Sequence, residues 1–388
     1  MLQELVMTKM RKSRSSMLFY ILWGLVTGSI FVVIPLYTTE LNFNVYQVSV
    51  FIAVPNFTLL FQPIWAVIIS YVRRPKILIQ ITTLISAFAL IVLNQSTTFI
   101  TILIAYTIYS VFINPMWTTI DNMIFGLGAN GKLDYEKTRC FASYSYGFAY
   151  LIFVPILSNV STKSYFIMAA LIYLLIIRTI HNIPNDTDSE KDENQQFSLY
   201  VIKSKLLHSK YIKFVLFTSF YGALLPLTIP YQTLLFDDMG VGMLYIGIAT
   251  VFTMLLEGLL MSKGSKYYKR YGLHTALYTS VILLITRAIV LSAFSSSILV
   301  LVGCALYGFS TAIYIPLLMD YVRKLVGAKY SNTGLLLIGF MTSLVAVLIS
   351  AIATTYIDMY SIRVFYIINI FILMIGLVII PFLEDVED

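Results

Sequence analysis

Runs of about twenty apolar residues recur along almost the whole of this 388-residue chain, and its charges collect in the short stretches between them. A bilayer's hydrocarbon core is about 30 Å thick and an α-helix rises about 1.5 Å per residue, so each run has the length of one crossing. Six lie in the first half, near 17–37, 46–70, 77–94, 98–124, 139–159 and 164–180. Six more lie near 211–236, 242–262, 273–294, 298–320, 333–356 and 362–383. A single soluble core is excluded: 59% of the residues are hydrophobic and 12% charged, where a soluble domain is about a quarter charged. One core also stops growing at roughly 250–300 residues. The expected fold is therefore all-α and integral to the membrane, with twelve transmembrane helices in two six-helix bundles, 1–180 and 211–388, joined by a linker over 181–210.

The basic residues alternate sides in step with these runs. Lys9, Arg11, Lys12 and Arg14 precede the first, Arg73, Arg74 and Lys76 follow the second, and Lys132, Lys137 and Arg139 follow the fourth. Lys203, Lys205, Lys210 and Lys213 precede the seventh, Lys263, Lys266, Lys269 and Arg270 follow the eighth, and Arg323, Lys324 and Lys329 follow the tenth. The opposite loops hold little beyond Lys163, Arg363, Asp237 and Asp238. Short loops rich in Lys and Arg stay on the cytoplasmic side, so both termini are expected there, in a multi-pass protein of the inner (cytoplasmic) membrane. The same placement accounts for the net charge of +7 without a nucleic-acid partner. The basic first residues lead into an apolar run with no small-residue cleavage site after it, which reads as an uncleaved first helix. In the linker, NDTDSEKDENQQ is charged and lacks aromatics, the composition of a disordered segment. The FSLYVIKSKLLHSKYIKF stretch reads either as a basic interfacial helix or as an extension of the seventh span.

Ionisable groups inside a span cost several kcal/mol and normally face a cavity or a partner. Among those in or at the ends of the runs, Asp121, Arg139, Glu257 and Arg287 are the candidates for function. A carboxylate and a guanidinium on adjacent helices either lock the helices together or clamp the hydroxyls of a solute, the guanidinium as a fork of donors. Glu257 is the only carboxylate deep in the second half, which makes it the candidate proton carrier. Counted from the cytoplasmic ends, it differs in depth from Arg287 by roughly 10 Å. Asn56 and Gln62 in the second span, and Tyr231 and Gln232 in the seventh, are candidates for lining a cavity or for joining helices. Asp320 and Arg323 read as an ion pair at the end of the tenth span. Cys140 and Cys304 read as small core residues. His181, His208 and His274 fall in expected loops, so neither a metal site nor a His relay is expected, and no GxxxxGK phosphate loop occurs. No catalytic residue and no cofactor is expected.

Two six-span halves joined by a polar linker, with short basic loops YVRRPK and KYYKRYG at matching places, resemble the major facilitator superfamily over nearly the whole chain. Ala66 and Ser70 stand where that superfamily's loop carries Gly and Asp. LLFQPIW (Leu59 to Trp65) and LDYEKTRCFASYSYGFAY (Leu133 to Tyr150) resemble stretches of the lactose permease group and of related sugar and nucleoside carriers. The resemblance implies that Arg139 binds sugar hydroxyls, that Tyr146 takes the place of a sugar-stacking Trp, and that Arg287 works in proton coupling. Glu257 falls on an acidic position of the related carriers and on a sugar-contacting Asn position of the permeases, which implies substrate contact as well as proton coupling for it. Counted back from Arg139, Asp121 falls on its acidic partner; counted forward from Pro115, Thr118 takes that place. Tyr307, Ser310 and Ser343 replace the His, Glu and Lys of the permease relay, so the lactose mechanism is not copied. The implied function is proton symport of a sugar, oligosaccharide or nucleoside by a monomer. Proton-antiport efflux and a non-transporting sensor or scaffold stay open alongside it.

Overall fold

The computed structural model describes residues 2–43, 45–72, 74–157, 162–183, 206–241 and 243–385. Among them the regular structure is helical: α1 (Leu2–Glu40), α2 (Val45–Thr58), α3 (Gln62–Tyr71), α4 (Pro75–Gln95), α5 (Phe99–Ala129), α6 (Tyr135–Leu157) and α7 (Thr162–Asn182). After the linker come α8 (Ser209–Asp238), α9 (Met243–Ala293), α10 (Ser297–Val326), α11 (Ser331–Met359) and α12 (Arg363–Ile379). A 3-10 turn, Leu59–Phe61, joins α2 to α3. Eight of these helices, α4, α5 and α7 through α12, are long and apolar enough to cross a membrane. Residues 184–205, which hold the charged linker and the start of the basic stretch after it, lie outside the described residues, as does Arg73.

The basic stretch between the eighth and ninth runs, expected as a loop, is helical. Lys263 through Tyr271 continue α9, which ends its first course only at Gly272, where φ is 80° and ψ 176°. A side chain there would be strained, so the glycine alone lets the chain turn back. Helices exceed the apolar runs because polar residues at a span's end keep the backbone bonded internally until water can take over.

The exposure pattern is that of a protein solvated by lipid. Ile100, Ile104 and Ile108 form an exposed stripe on α5, while its Tyr106, Tyr109, Ser110, Asp121 and Asn122 are buried. On α12 the exposed row is Ile367, Phe371, Met374 and Val378, and the buried groups include Tyr366 and Asn369. Several of the tyrosines lie buried between helices. Tyr109 and Tyr173 share a 2.6 Å hydrogen bond, Tyr165 reaches Ser29 at 2.7 Å, and Tyr37 donates to the Ser96 carbonyl. A phenol away from water needs such a partner, so each one ties two helices.

The chain divides into two compact units, residues 1–196 and 197–388. In the first, α1 packs on α6, α7 and α2, and α4 packs on α5 and α7. Lys76, at the start of α4, donates to the Ile183 carbonyl at the end of α7, where a cation suits the helix's negative end. In the second, α8 packs on α11 and α12, and α9 on α10 and α12. There the segment after α12 is tied down: Glu384 contacts Lys213 at 2.8 Å and Lys210 at 3.2 Å, and those hydrogen bonds, Lys213's first, hold its carboxyl below the usual range.

Prolines open the ladders at defined places. Pro115 in α5 has no N–H to give the Val111 carbonyl, and the Trp65 indole donates to that oxygen at 2.9 Å. Asn114 reaches across to Thr58 at 2.9 Å, beside the 3-10 turn that precedes Pro63. Trp65→Phe is therefore expected to cost about 1 kcal/mol by orphaning one carbonyl, read as a lowered midpoint of thermal unfolding in detergent. Pro316 in α10 likewise leaves the Ala312 carbonyl without its helical partner. Gly264 of α9 fits against that oxygen, and a β-carbon built there would stand 2.2 Å away from it.

Candidate functional site

In the first unit the site is assembled at the α5–α6 turn. Asp134 caps α6: its Oδ1 accepts from the Lys137 amide at 3.1 Å, one of the helix's otherwise unpaired N–H groups. This start puts Tyr135 in the first position and Arg139 one turn on, on the same face. The Tyr135 hydroxyl donates to Asp121 of α5, 3.2 and 3.3 Å from its two oxygens. Tyr20 of α1 donates to Oδ1 at 2.5 Å. Arg139 Nε stands 3.6 Å from Oδ1, an ionic contact beyond hydrogen-bond range. Asp121 is 1% exposed, so these groups replace the hydrogen bonds its carboxyl would otherwise make to water.

The guanidinium of Arg139 lies over the Trp117 ring at 4.6 Å and near the Tyr20 ring at 5.7 Å. Trp23 of α1 stacks on Trp117 with centroids 5.1 Å apart and planes 13° from parallel. The result is a buried acid–base pair laid against an aromatic platform. Such a platform can bind the apolar face of a ring, and the fork of Arg139 can donate to hydroxyls. Tyr146 is half-buried on α6, two turns beyond Arg139. Gln62 is buried with its Oε1 unpartnered, and Asn56 is half-buried; no described contact joins either of them to the Asp121 pair.

In the second unit α10 organises the polar groups. Its Gly308 meets α9 so closely that an added β-carbon would lie 2.8 Å from the Thr253 carbonyl and 3.2 Å from the Glu257 nitrogen. Glu257 is thereby set against Thr311, whose hydroxyl donates to Oε2 at 2.9 Å. One turn earlier on α10, the Tyr307 ring lies 5.5 Å from the Arg287 guanidinium. Arg287 donates to Gln232 of α8 at 3.1 Å, and the Tyr366 ring of α12 flanks it at 5.6 Å. Glu257 and Arg287 thus meet neighbouring turns of α10, about 5.4 Å apart along its axis. Among the described residues no ion pair joins them, in keeping with their different depths.

Other candidates have structural partners. Ser310 hydrogen-bonds Tyr221 at 2.6 Å and the Ser280 carbonyl at 2.8 Å. Tyr231 stacks on Phe365 with centroids 3.8 Å apart. Asp320, set beside Arg323 in the sequence, contacts Lys324 at 3.6 Å and accepts from Tyr268 at 3.0 Å. Cys140 and Cys304 are buried and free.

Sequence reasoning did not single out Tyr20, Trp23, Trp117, Tyr135, Thr311 and Tyr366. Two of the chain's three tryptophans form the platform, and Trp117 stands one turn before Asp121, which was a usable signal. Tyr135 sits inside the LDYEKTR stretch. For Tyr20 no local signal exists, because its partner lies 101 positions away.

The MFS_1 like family matches residues 14–368, and no curated protein matches the chain. Among solved structures, a mutant form of the nucleoside transporter NupG superposes with a TM-score of 0.71 at 17% identity, covering 97% of this chain and 100% of that one. A mutant form of the E. coli fucose:proton symporter FucP gives 0.70 at 14% identity, covering 96% and 98%. The human organic anion transporter MFSD10 gives 0.67 at 14% identity, covering 96% and 99%. Matched over most of its length, the chain belongs to the MFS_1 like family and is a multi-pass membrane protein of the transporter type, not an enzyme.

Proposed function

We propose that this protein is a secondary active transporter that carries a small polar solute, a sugar, oligosaccharide or nucleoside, together with protons. The observation that carries the reading is the Asp121–Arg139 pair against Trp117, Trp23 and Tyr20. A solute with hydroxyls on its edge and an apolar ring face offers both kinds of contact that these groups accept. Asn56, Gln62 and Tyr146 extend the polar lining. The fold neighbours that carry a nucleoside and fucose fit the same chemistry. Twelve crossings complete the reading: α1, α2 with α3, α4 to α8, the two segments of α9 on either side of Gly272, and α10 to α12. Both termini face the cytoplasm, and a monomer in the cell's inner membrane does the work, with six-helix bundles at 1–180 and 211–388.

Glu257 carries the proton, and Arg287, one turn away on the α10 surface, is its counter-charge. A carboxyl that alternates between a neighbour that favours its ionised form and apolar surroundings that favour its protonated form gives the two states coupling needs. In proteoliposomes, accumulation of a radiolabelled sugar or nucleoside should follow an imposed proton gradient and collapse with an uncoupler. Glu257→Gln should abolish accumulation while exchange of labelled for unlabelled solute continues. Accumulation by Glu257→Gln equal to that of the wild type removes Glu257 from coupling, and no uptake of either class removes the solute assignment.

A further inference from the structure

Two apolar rows on the lipid-facing surface of the first unit each lead to an arginine. On α7 the exposed row of Ile167, Leu171, Leu174 and Leu175 runs on into Arg178, exposed on the same face. On α4 the exposed row is Ile77, Ile81, Leu84 and Phe88, and exposed Arg74 stands just before it. The two helices pack antiparallel: Lys76 donates to the Ile183 carbonyl, and Gln80 donates to that of Ile177 at 3.2 Å. Arg74 and Lys76 at the start of α4 therefore share one end of the pair with Arg178 and His181 in the last turn of α7.

The surrounding sequence supplies no acid to answer this cluster. It holds no Asp or Glu between Glu40 and Asp121, and none between Glu136 and Asp186. Neither arginine makes an ion pair among the described residues. At the start of α8 in the second unit, by contrast, Lys210 and Lys213 are answered by Glu384. An arginine at the end of an apolar row lays its stem along hydrocarbon and carries its charge to the headgroup layer. There the planar fork matches two oxygens of a phosphate. A zwitterionic headgroup brings a cation of its own to the same place and leaves the cluster uncompensated. The ligand that suits both parts is an amphiphile with an anionic head and two chains, one for each row.

We propose that this end of the α4–α7 pair is a binding site for an anionic phospholipid. Arg74 and Arg178 grip its phosphate, Lys76 and His181 add charge and a hydrogen-bond donor, and its acyl chains lie along the two apolar rows. The site is separate from the solute site and does not depend on which solute is carried.

The test is lipid retention by the purified full-length protein, read by native mass spectrometry as dioleoyl phosphatidylglycerol or dioleoyl phosphatidylcholine is titrated in. Phosphatidylglycerol should bind at least tenfold more tightly than phosphatidylcholine. A basic group beside an anionic lipid contributes about fivefold in affinity, so Arg178→Gln should weaken phosphatidylglycerol about fivefold and leave phosphatidylcholine within twofold. Arg270→Gln, the same loss of charge at an exposed position on α9, should change neither. Millimolar inorganic phosphate should not displace the lipid, because it offers nothing to the apolar rows. The two lipids compared on the wild type need no variant, so a variant that fails to fold does not shield the proposal. Equal retention of both lipids overturns it. So does an Arg270→Gln effect as large as that of Arg178→Gln, which would assign the preference to net charge. Displacement by inorganic phosphate overturns the lipid as occupant in favour of a free anion.

Discussion

Asp121→Ala is expected to destabilise the protein by about 3–5 kcal/mol, the cost of breaking a buried pair and stranding its partner. Arg139 would then lie buried against Trp117 without its carboxylate, and the Tyr20 and Tyr135 hydroxyls would lose their acceptor. The informative comparison is the double variant Asp121→Asn with Arg139→Gln. It removes both charges together and keeps groups that can hydrogen-bond, so the unfolding midpoint in detergent should return most of the way to that of the wild type. Solute binding should not return. A hydrogen bond from a charged donor contributes about 1.5–3 kcal/mol, which corresponds to roughly 10–100-fold in affinity for each one lost. Stability and binding thus separate a pair that serves only to lock α5 to α6 from one that also holds solute. Full binding by the double variant would assign the pair to the fold alone.

Gly264→Val should have the second large effect, and it acts on the fold rather than on the site. The added β-carbon would stand 2.2 Å from the Ala312 carbonyl oxygen and 2.9 Å from the Ile313 nitrogen. Both are backbone atoms and cannot swing aside as a side chain would, so α9 and α10 must separate. Overpacking a tight core costs about 1–3 kcal/mol and sometimes more. Here the contact also lies next to the proline that opened α10, where there is no spare hydrogen bond to take up the strain. The expected readout is loss of the monodisperse peak in size-exclusion chromatography of the detergent-solubilised protein. Gly264→Ala should show the same defect in milder form, since its β-carbon meets the same oxygen. A Gly264→Val protein with an unchanged profile would show that the two helices do not approach as described.

Much of this architecture was legible because lipid makes strict demands on composition. A helix surrounded by hydrocarbon must be apolar over about twenty residues, so α4, α5, α8 and α10 announce themselves, and buried charges such as Asp121 on α5 and Glu257 on α9 stand out against an apolar background. Asp121 and Arg139 were found for that reason, and the LDYEKTR stretch marked the turn that joins their helices. The helical course of Lys263 to Tyr271 was less legible: charges and tyrosines there suggest a loop, and only the backbone of Gly272 shows where the helix ends.

The sequence by itself determined that this is a helical membrane protein and which of its charges are expensive. Hydropathy is a local quantity, readable along the chain. Only the tertiary structure decided who answers those charges. Tyr20 meets Asp121 across 101 positions, Trp23 lies on Trp117, and Arg287 turns to Gln232 and two rings rather than to Glu257. These partners come from helices remote in sequence, brought together by packing at points such as Gly264 and Gly308, where the missing side chain sets how near two backbones come. No periodicity in a single segment encodes that meeting, because it depends on the surfaces of two helices at once.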